Sequence, residues 1–221
     1  MRALLLAVST RAMAESAVRG GHDVVAVDFF ADRDQALVAE AHALGRDLGL
    51  PLTAEGLREA AGRMAADGVV YGANLENHAD VVELLGREHE VFGNPPNVLR
   101  EVRDWKLLRR VCKREAIAHP VTLLPGEEAR AVGGRWLRKR ARSGGGHGIR
   151  RWDGRPLDAD HVLQSAVDGS PASVAFVADG RDCRILGFSE QLIGRAALGS
   201  SGFAWCGNVH PLSVSIAESK R

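Results

Sequence analysis

The residues best suited to chemistry in this chain lie between Trp136 and Trp152, in the stretch WLRKRARSGGGHGIRRW. Gly144, Gly145, Gly146 and Gly148 cluster after a basic, strand-like run that carries Lys139. Glycine accepts φ > 0 and lets a ligand approach the main chain. Successive free N–H groups in such a loop form an anion-binding nest. A lysine on the adjoining strand adds a point charge to a bound phosphate. The simplest ligand for this arrangement is a nucleotide polyphosphate. The stretch is not a Walker loop, because Ile149-Arg150 follows Gly148 where Lys-Ser/Thr would be needed. It is not a dinucleotide fingerprint either. Ile149 to Trp152, followed by Asp153-Gly154, reads as a short strand and a turn rather than a helix. The glycines are therefore expected to join two strands, as a mobile flap over phosphates. A plain β-turn with surplus glycine is the bland alternative.

Charge points the same way. Sixteen lysines and arginines face six acids between Arg100 and Arg155, in a chain whose formal net charge is only +1. A local basic segment suits a compact anion, and also RNA. The aromatics near it are Trp105, Trp136 and Trp152, a thin basis for base stacking, and no nucleic-acid partner is expected. The eight histidines show no HExxH or similar spacing, so no metal site is read from them, and His147 is expected to be a solvated loop residue. The serines have no GxSxG setting. Cys112, Cys183 and Cys206 form no CxxC pair and read as three buried thiols of a cytosolic protein. Ala3 to Val8 is apolar but too short for a signal-peptide core or a membrane span. A cytoplasmic chain without membrane contact is expected.

The elements that must hold this loop fall into an α/β pattern. Ala3 to Val8 reads as a buried parallel strand, and Ser9 or Thr10 as the cap of a helix closed by Gly20-Gly21. Val24 to Val27 is a second strand, Ala36 to Leu48 a helix, and Thr53 the cap of another helix. Gly68 to Gly72 and Glu90 to Gly93 complete a βαβ sheet of about four strands, with a helix from Ala79 between them. Asn94-Pro95-Pro96-Asn97 breaks the pattern and suggests two domains, residues 1–95 and 96–221. Asp104 then caps a basic helix, Val121 to Leu124 is a strand, and the chain beyond Asp160 reads as β-sheet.

In this order the motifs resemble the ATP-grasp superfamily, the ATP-dependent carboxylate ligases related to D-alanine–D-alanine ligase and the biotin carboxylases. The matching pieces are Val91 to Pro95, Asp104-Trp105-Lys106, Trp136 to Lys139, Ser143 to Ile149, Val162-Leu163-Gln164 before Asp168-Gly169, and Gly202 to Pro211. The resemblance implies a Rossmann-like pre-ATP-grasp domain followed by an α+β ATP-grasp domain. It implies that Lys139 lies against the α/β-phosphates and the adenine edge, with Lys106 as a second phosphate-side lysine. The backbone of Ser143, Gly144, Gly145, Gly146 and Gly148 would close over the β/γ-phosphates. Gln164 to Val167 would form a hinge strand that reads adenine through its backbone.

The implied reaction joins a small-molecule carboxylate to an amine. The carboxylate attacks the γ-phosphoryl of Mg-ATP, and the amine displaces phosphate from the acylphosphate. The wording of the glycine stretch and of Gln191 to Gly194 is similar to ATP-grasp proteins of one-carbon metabolism, which implies a role in cofactor biosynthesis. A homodimer is one assembly open to it. Three features depart from the family pattern. Arg138 and Arg140 flank Lys139, where an apolar residue and often a proline are usual, and Ser165 replaces a common glutamate. The acid-then-Glu-x-Asn pattern that would hold Mg2+ does not occur, Glu218 being the only acid beyond Glu190. No catalytic residue is therefore named. The chain reads either as a truncated ligase or as an ATP-binding module that does not catalyse alone.

Overall fold

The computed structural model describes residues 1–131 and 133–213, so Glu218 and the final Ser219-Lys220-Arg221 lie outside the described residues. By contacts the chain divides into two compact units, Met1–Val111 and Cys112–Arg221. That division lies downstream of the Pro95-Pro96 break.

The first unit runs β1 (Arg2–Leu6), α1 (Arg11–Arg19), β2 (Asp23–Asp28), β3 (Glu40–Ala43), α2 (Ala54–Ala61), β4 (Gly68–Tyr71), α3 (Ala79–Glu88), β5 (Val91–Phe92), α4 (Pro96–Val102) and the start of α5 (Trp105–Arg114). Its five strands form one parallel sheet in the order β3-β2-β1-β4-β5. Alternation along β1 explains the layering. Leu4 and Leu6 join Val25, Val27 and Val69 in a core with Leu57, Val81 and Leu85 of α2 and α3. Ala3 and Leu5 join Val24 and Ala26 against Ala14 of α1 on the other face. The α/β class expected from the sequence is the class observed. Among the described residues no helix is long and apolar enough to cross a membrane.

Two local expectations need correcting. Ala36 to Leu48 is not a helix: a short 3-10 turn at Gln35–Leu37 leads into β3, which pairs with β2 from Val25↔Glu40 to Asp28↔Ala43. The sheet edge supplies backbone partners that outweigh a weak helical preference. Thr10 precedes α1 but does not cap it with its side chain. Its hydroxyl and amide instead donate to Asp28 Oδ2 at 2.7 and 2.8 Å, and the hydroxyl accepts from Gln35. Asp28 Oδ1 accepts from the amides of Phe30 and Ala31. Thr53 does cap α2, accepting from Gly56 N at 3.1 Å, and Asp104 caps α5 through the amides of Lys106 and Leu107.

Asp28 therefore ties the β1–α1 turn to the end of β2. Burial alone would push its carboxyl pKa up, but the four donors from Thr10, Phe30 and Ala31 outweigh it and hold the pKa below 3.8. A carboxylate with a depressed folded pKa contributes stability that is present above the unfolded value and lost as pH falls through the folded one. Thermal unfolding followed from pH 6 to pH 2 should accordingly show Asp28→Asn less acid-sensitive than the parent, although less stable at neutral pH. An equal acid slope in both would discount the contribution of Asp28.

The second unit completes α5 and contains two antiparallel sheets. The first has the order β6-β9-β7-β8, built from β6 (Thr122–Leu123), β7 (Trp136–Arg140), β8 (Arg150–Arg151) and β9 (His161–Ser165). The second has the order β10-β11-β12, from β10 (Ala172–Ala178), β11 (Cys183–Ile193) and β12 (Trp205–Val209). Leu123, Leu157 and Leu163 form a small core with Trp136 and Trp152 behind the first sheet. The thiols do not share one environment as expected. Cys112 is buried, Cys206 is half-buried with its thiol 3.2 Å from the Leu192 carbonyl, and Cys183 is exposed where β11 begins after the Asp179–Asp182 turn.

Candidate functional site

The glycine stretch joins two strands, as its sequence demands. β7 and β8 pair antiparallel, Leu137 opposite Arg151 and Arg138 opposite Arg150, with the glycines in the connecting loop. β7 also pairs with β9, Leu137 opposite Gln164 and Lys139 opposite Val162. Side chains alternate across a strand, so Leu137, Lys139 and Gln164 share one face. Arg138 and Leu163 share the other, where Arg138 donates to Asp158 Oδ2 at 2.9 Å and contacts His161. Arg138 is thus half-buried and committed to a protein partner, while Arg140 is exposed.

The face carrying Lys139 borders a cleft of about 780 Å³. Leu137 and Lys139 of β7, Gly145, Gly146 and Ile149 of the loop, and Val167 and Gly169 after β9 line one part of it. Ser173 of β10, Gln191 and Ile193 of β11, and Trp205 and Asn208 of β12 line another, with Phe203. Lys139 is the one ionisable side chain of this lining. Its ammonium donates to Gln164 Oε1 at 2.6 Å, a neutral partner that leaves the charge uncompensated. Burial lowers its pKa from the ordinary 10.5. An anion in the cleft would reverse that penalty.

Gly145, Gly146 and Gly148 all have positive φ, at 62, 73 and 76°. Two internal turns close the loop, His147 N to Gly144 O and Ile149 N to Gly146 O, both at 3.3 Å. The amides of Gly144, Gly145, Gly146 and Gly148 donate to no group among the described residues, which leaves them available to phosphate oxygens. The loop is also docked. Trp205 N donates to Gly145 O at 2.9 Å, and a Cβ added at Gly146 would stand 1.9 Å from the Phe203 carbonyl oxygen. Gly146 is therefore required by packing within the protein, a reason the sequence did not disclose.

The remaining expected positions are placed as follows. Ser143 is half-buried, its hydroxyl 3.3 Å from the Arg140 carbonyl. Gln164 is buried rather than on the surface, and the amides of Ser165 and Ala166 donate to Val121 and Arg135 carbonyls. Val167 is 71% exposed and lines the cleft. Its amide has no acceptor among the described residues. Lys106 belongs to the first unit and is exposed in the first turn of α5. Sequence reasoning did not single out Ser173, Gln191, Ile193, Phe203, Trp205 or Asn208 as site residues. Their signal is the two-residue alternation of β10, β11 and β12, which puts Ser173, Gln191 and Asn208 on one face. Among the described residues no three His, Cys, Asp or Glu side chains converge to hold a metal ion, and the lining contains no carboxylate. These residues do not fit a Mg2+ ligand set.

Comparison with known proteins bears on the family and the fold. A profile described as the ATP-grasp domain matches residues 104–220. No curated protein matches. Among solved structures, N5-carboxyaminoimidazole ribonucleotide synthetase from Thermotoga maritima aligns with a TM-score of 0.61 at 13% identity, covering 99% of this chain and 57% of that one. N5-carboxyaminoimidazole synthetase from Staphylococcus aureus complexed with ADP aligns with a TM-score of 0.62 at 13% identity, covering 99% and 60%. L-amino acid ligase from Bacillus licheniformis aligns with a TM-score of 0.55 at 14% identity, covering 86% and 50%. At such identities the likeness is one of fold, and the chain spans between half and three-fifths of these neighbours' own lengths.

Proposed function

The chain belongs to the ATP-grasp family, and from that premise we propose that it carries the nucleotide-gripping part of an ATP-dependent carboxylate–amine ligase. The single observation behind this reading is the cleft that brings Lys139 together with Gly145 and Gly146. It offers one uncompensated ammonium and free loop amides, the donor set a polyphosphate takes. In the proposed binding mode Lys139 meets the α/β-phosphates, and Ser143 to Gly148 cover the β/γ-phosphates. Val167 presents its free amide to the nucleobase. Lys106 is retained as a second phosphate-side lysine on the resemblance alone. The ligated substrates are taken to be a small carboxylate and a small amine, and the setting the cytoplasm. A place in cofactor biosynthesis of one-carbon metabolism rests on the wording of Gln191 to Gly194 and of the glycine stretch.

What these residues contribute chemically is binding, orientation and exclusion of water. Closing loop amides on the terminal phosphates would fix the γ-phosphoryl for attack and shield an acylphosphate from hydrolysis. Magnesium supplies charge neutralisation to phosphoryl transfer when it is bound, and the described residues supply no set of ligands for it. That observation favours a second reading, an ATP-binding module or subunit without catalysis of its own. Calorimetry with ATP, with and without Mg2+, together with an assay for ADP release on supplying amino acids and carboxylates, separates the two. ATP binding with ADP release supports the ligase, and ATP binding without release supports the module. Absence of ATP binding under both conditions would overturn either reading.

A further inference from the structure

Lys139 does not stand alone on its sheet. Thr122, Gln164 and Leu137 form a row across three strands, since Thr122 pairs with Gln164 and Gln164 with Leu137, and Lys139 lies two residues along on the same face. Thr122 and Gln164 are 4% and 8% exposed. The hydrogen bonds between them can run in one direction only. An ammonium is a donor without acceptor capacity, so Gln164 must turn Oε1 towards Lys139. Its Nε2 then donates to Thr122 Oγ1 at 2.9 Å. The threonine hydroxyl, already accepting, donates to the Pro120 carbonyl at 3.1 Å. Every member is neutral except the lysine, so the relay orients the ammonium without neutralising it.

We propose that Thr122 is a positioning residue for the bound polyphosphate, acting through the Gln164 carboxamide to hold the Lys139 ammonium in place and uncompensated at the cleft wall. This rests on the nucleotide reading above for its ligand. A glutamate at position 164 would fill the same space but pair with Lys139 and cancel its charge. Valine at position 122 would keep the shape and remove the acceptor, leaving the buried Gln164 Nε2 unpaired and the carboxamide without its anchor at that end.

The test is calorimetry of the full chain with ATP, ADP and adenosine. Thr122→Val should weaken ATP and ADP about five- to twentyfold, less than removing the Lys139 charge would, because the ammonium is displaced and not lost, while adenosine changes less than about twofold. Thr122→Ser, which keeps the hydroxyl, should restore the parent affinities. Gln164→Glu should erase most of the advantage of ATP over adenosine. Unchanged ATP affinity in Thr122→Val would overturn the inference. So would an equal loss for all three ligands, or failure of Thr122→Ser to rescue. A readout without nucleotide covers the remaining cases. The Nζ ammonium resonance of Lys139, identified by its absence in Lys139→Arg, should be observable in the parent and in Thr122→Ser. It should be lost to solvent exchange in Thr122→Val, or in Gln164→Met if the valine variant does not fold. A resonance that persists in the variant overturns the positioning role even where nucleotide binds. A parent that binds no nucleotide, yet shows this signature, overturns the nucleotide reading alone.

Discussion

Gly146→Ala should abolish the closed form of the glycine loop and with it most of the affinity for ATP, while leaving the second unit folded. A methyl group at this position would sit 1.9 Å from the Phe203 carbonyl oxygen and 2.8 Å from its carbon, on a backbone with φ of 73°. The left-handed conformation costs a non-glycine residue about 1–2 kcal/mol, and forcing a packed contact apart adds about 1–3 kcal/mol. Lifting the loop away from Phe203 sacrifices less. Its backbone tie to β12 is the Trp205 N to Gly145 O bond at 2.9 Å, worth about 0.5–1.5 kcal/mol. The loop should therefore detach rather than the sheet unfold. The expected signature is a small change in Tm with a loss of nucleotide affinity of at least about tenfold. Gly144→Ala is the control. A Cβ there meets nothing within 4 Å and the backbone does not have positive φ, so the change should stay within about 0.5 kcal/mol. Equal behaviour of the two variants would show that the contact with Phe203 does not position the loop.

The second large effect is expected at Lys139. Lys139→Met keeps the apolar stem and removes the charge. The lost charge-assisted bond to phosphate should be worth about 1.5–3 kcal/mol, or roughly ten- to a hundredfold in ATP affinity. Adenosine, which offers no phosphate, should lose far less affinity than ATP. Stability should move little, because the variant leaves Gln164 Oε1 without its donor but also removes an ammonium that burial disfavours. The sign of the pH dependence follows. Burial lowers the pKa of Lys139 below 10.5, so the ammonium is lost earlier than in an ordinary lysine as pH rises. ATP affinity of the parent should fall on the alkaline side, below the usual lysine range, and the methionine variant should lack that fall. Parent-like ATP affinity in Lys139→Met would remove this residue from the site.

The parallel sheet was legible in the chain because continuous apolar runs such as Ala3 to Val8 satisfy only strands covered on both faces. The β7–β8 hairpin was legible because Ile149 to Trp152 and Asp153-Gly154 exclude a helix after the glycines. Edge positions were not. Ala36 to Leu48 reads as a helix, yet Glu40 to Ala43 within it pairs with β2 as an edge strand. Thr10 looked like a helix cap, but Asp28, eighteen residues away, took its hydroxyl.

By itself the sequence narrowed the candidate chemistry: a lysine followed by a glycine-rich turn between strands, in a basic segment, suits a compact polyanion. It also fixed the α/β class, because hydrophobic period is a local property. Tertiary structure decided which groups meet. Thr122, in a strand legible in the sequence but whose partners are not, reaches Lys139 through Gln164 only because β6, β9 and β7 lie side by side. Gly146 must be glycine because Phe203, in the turn that precedes β12, packs against it. Such pairings depend on strand order and register, which are set by the packing of segments far apart in the chain and leave no mark in the spacing of neighbouring residues.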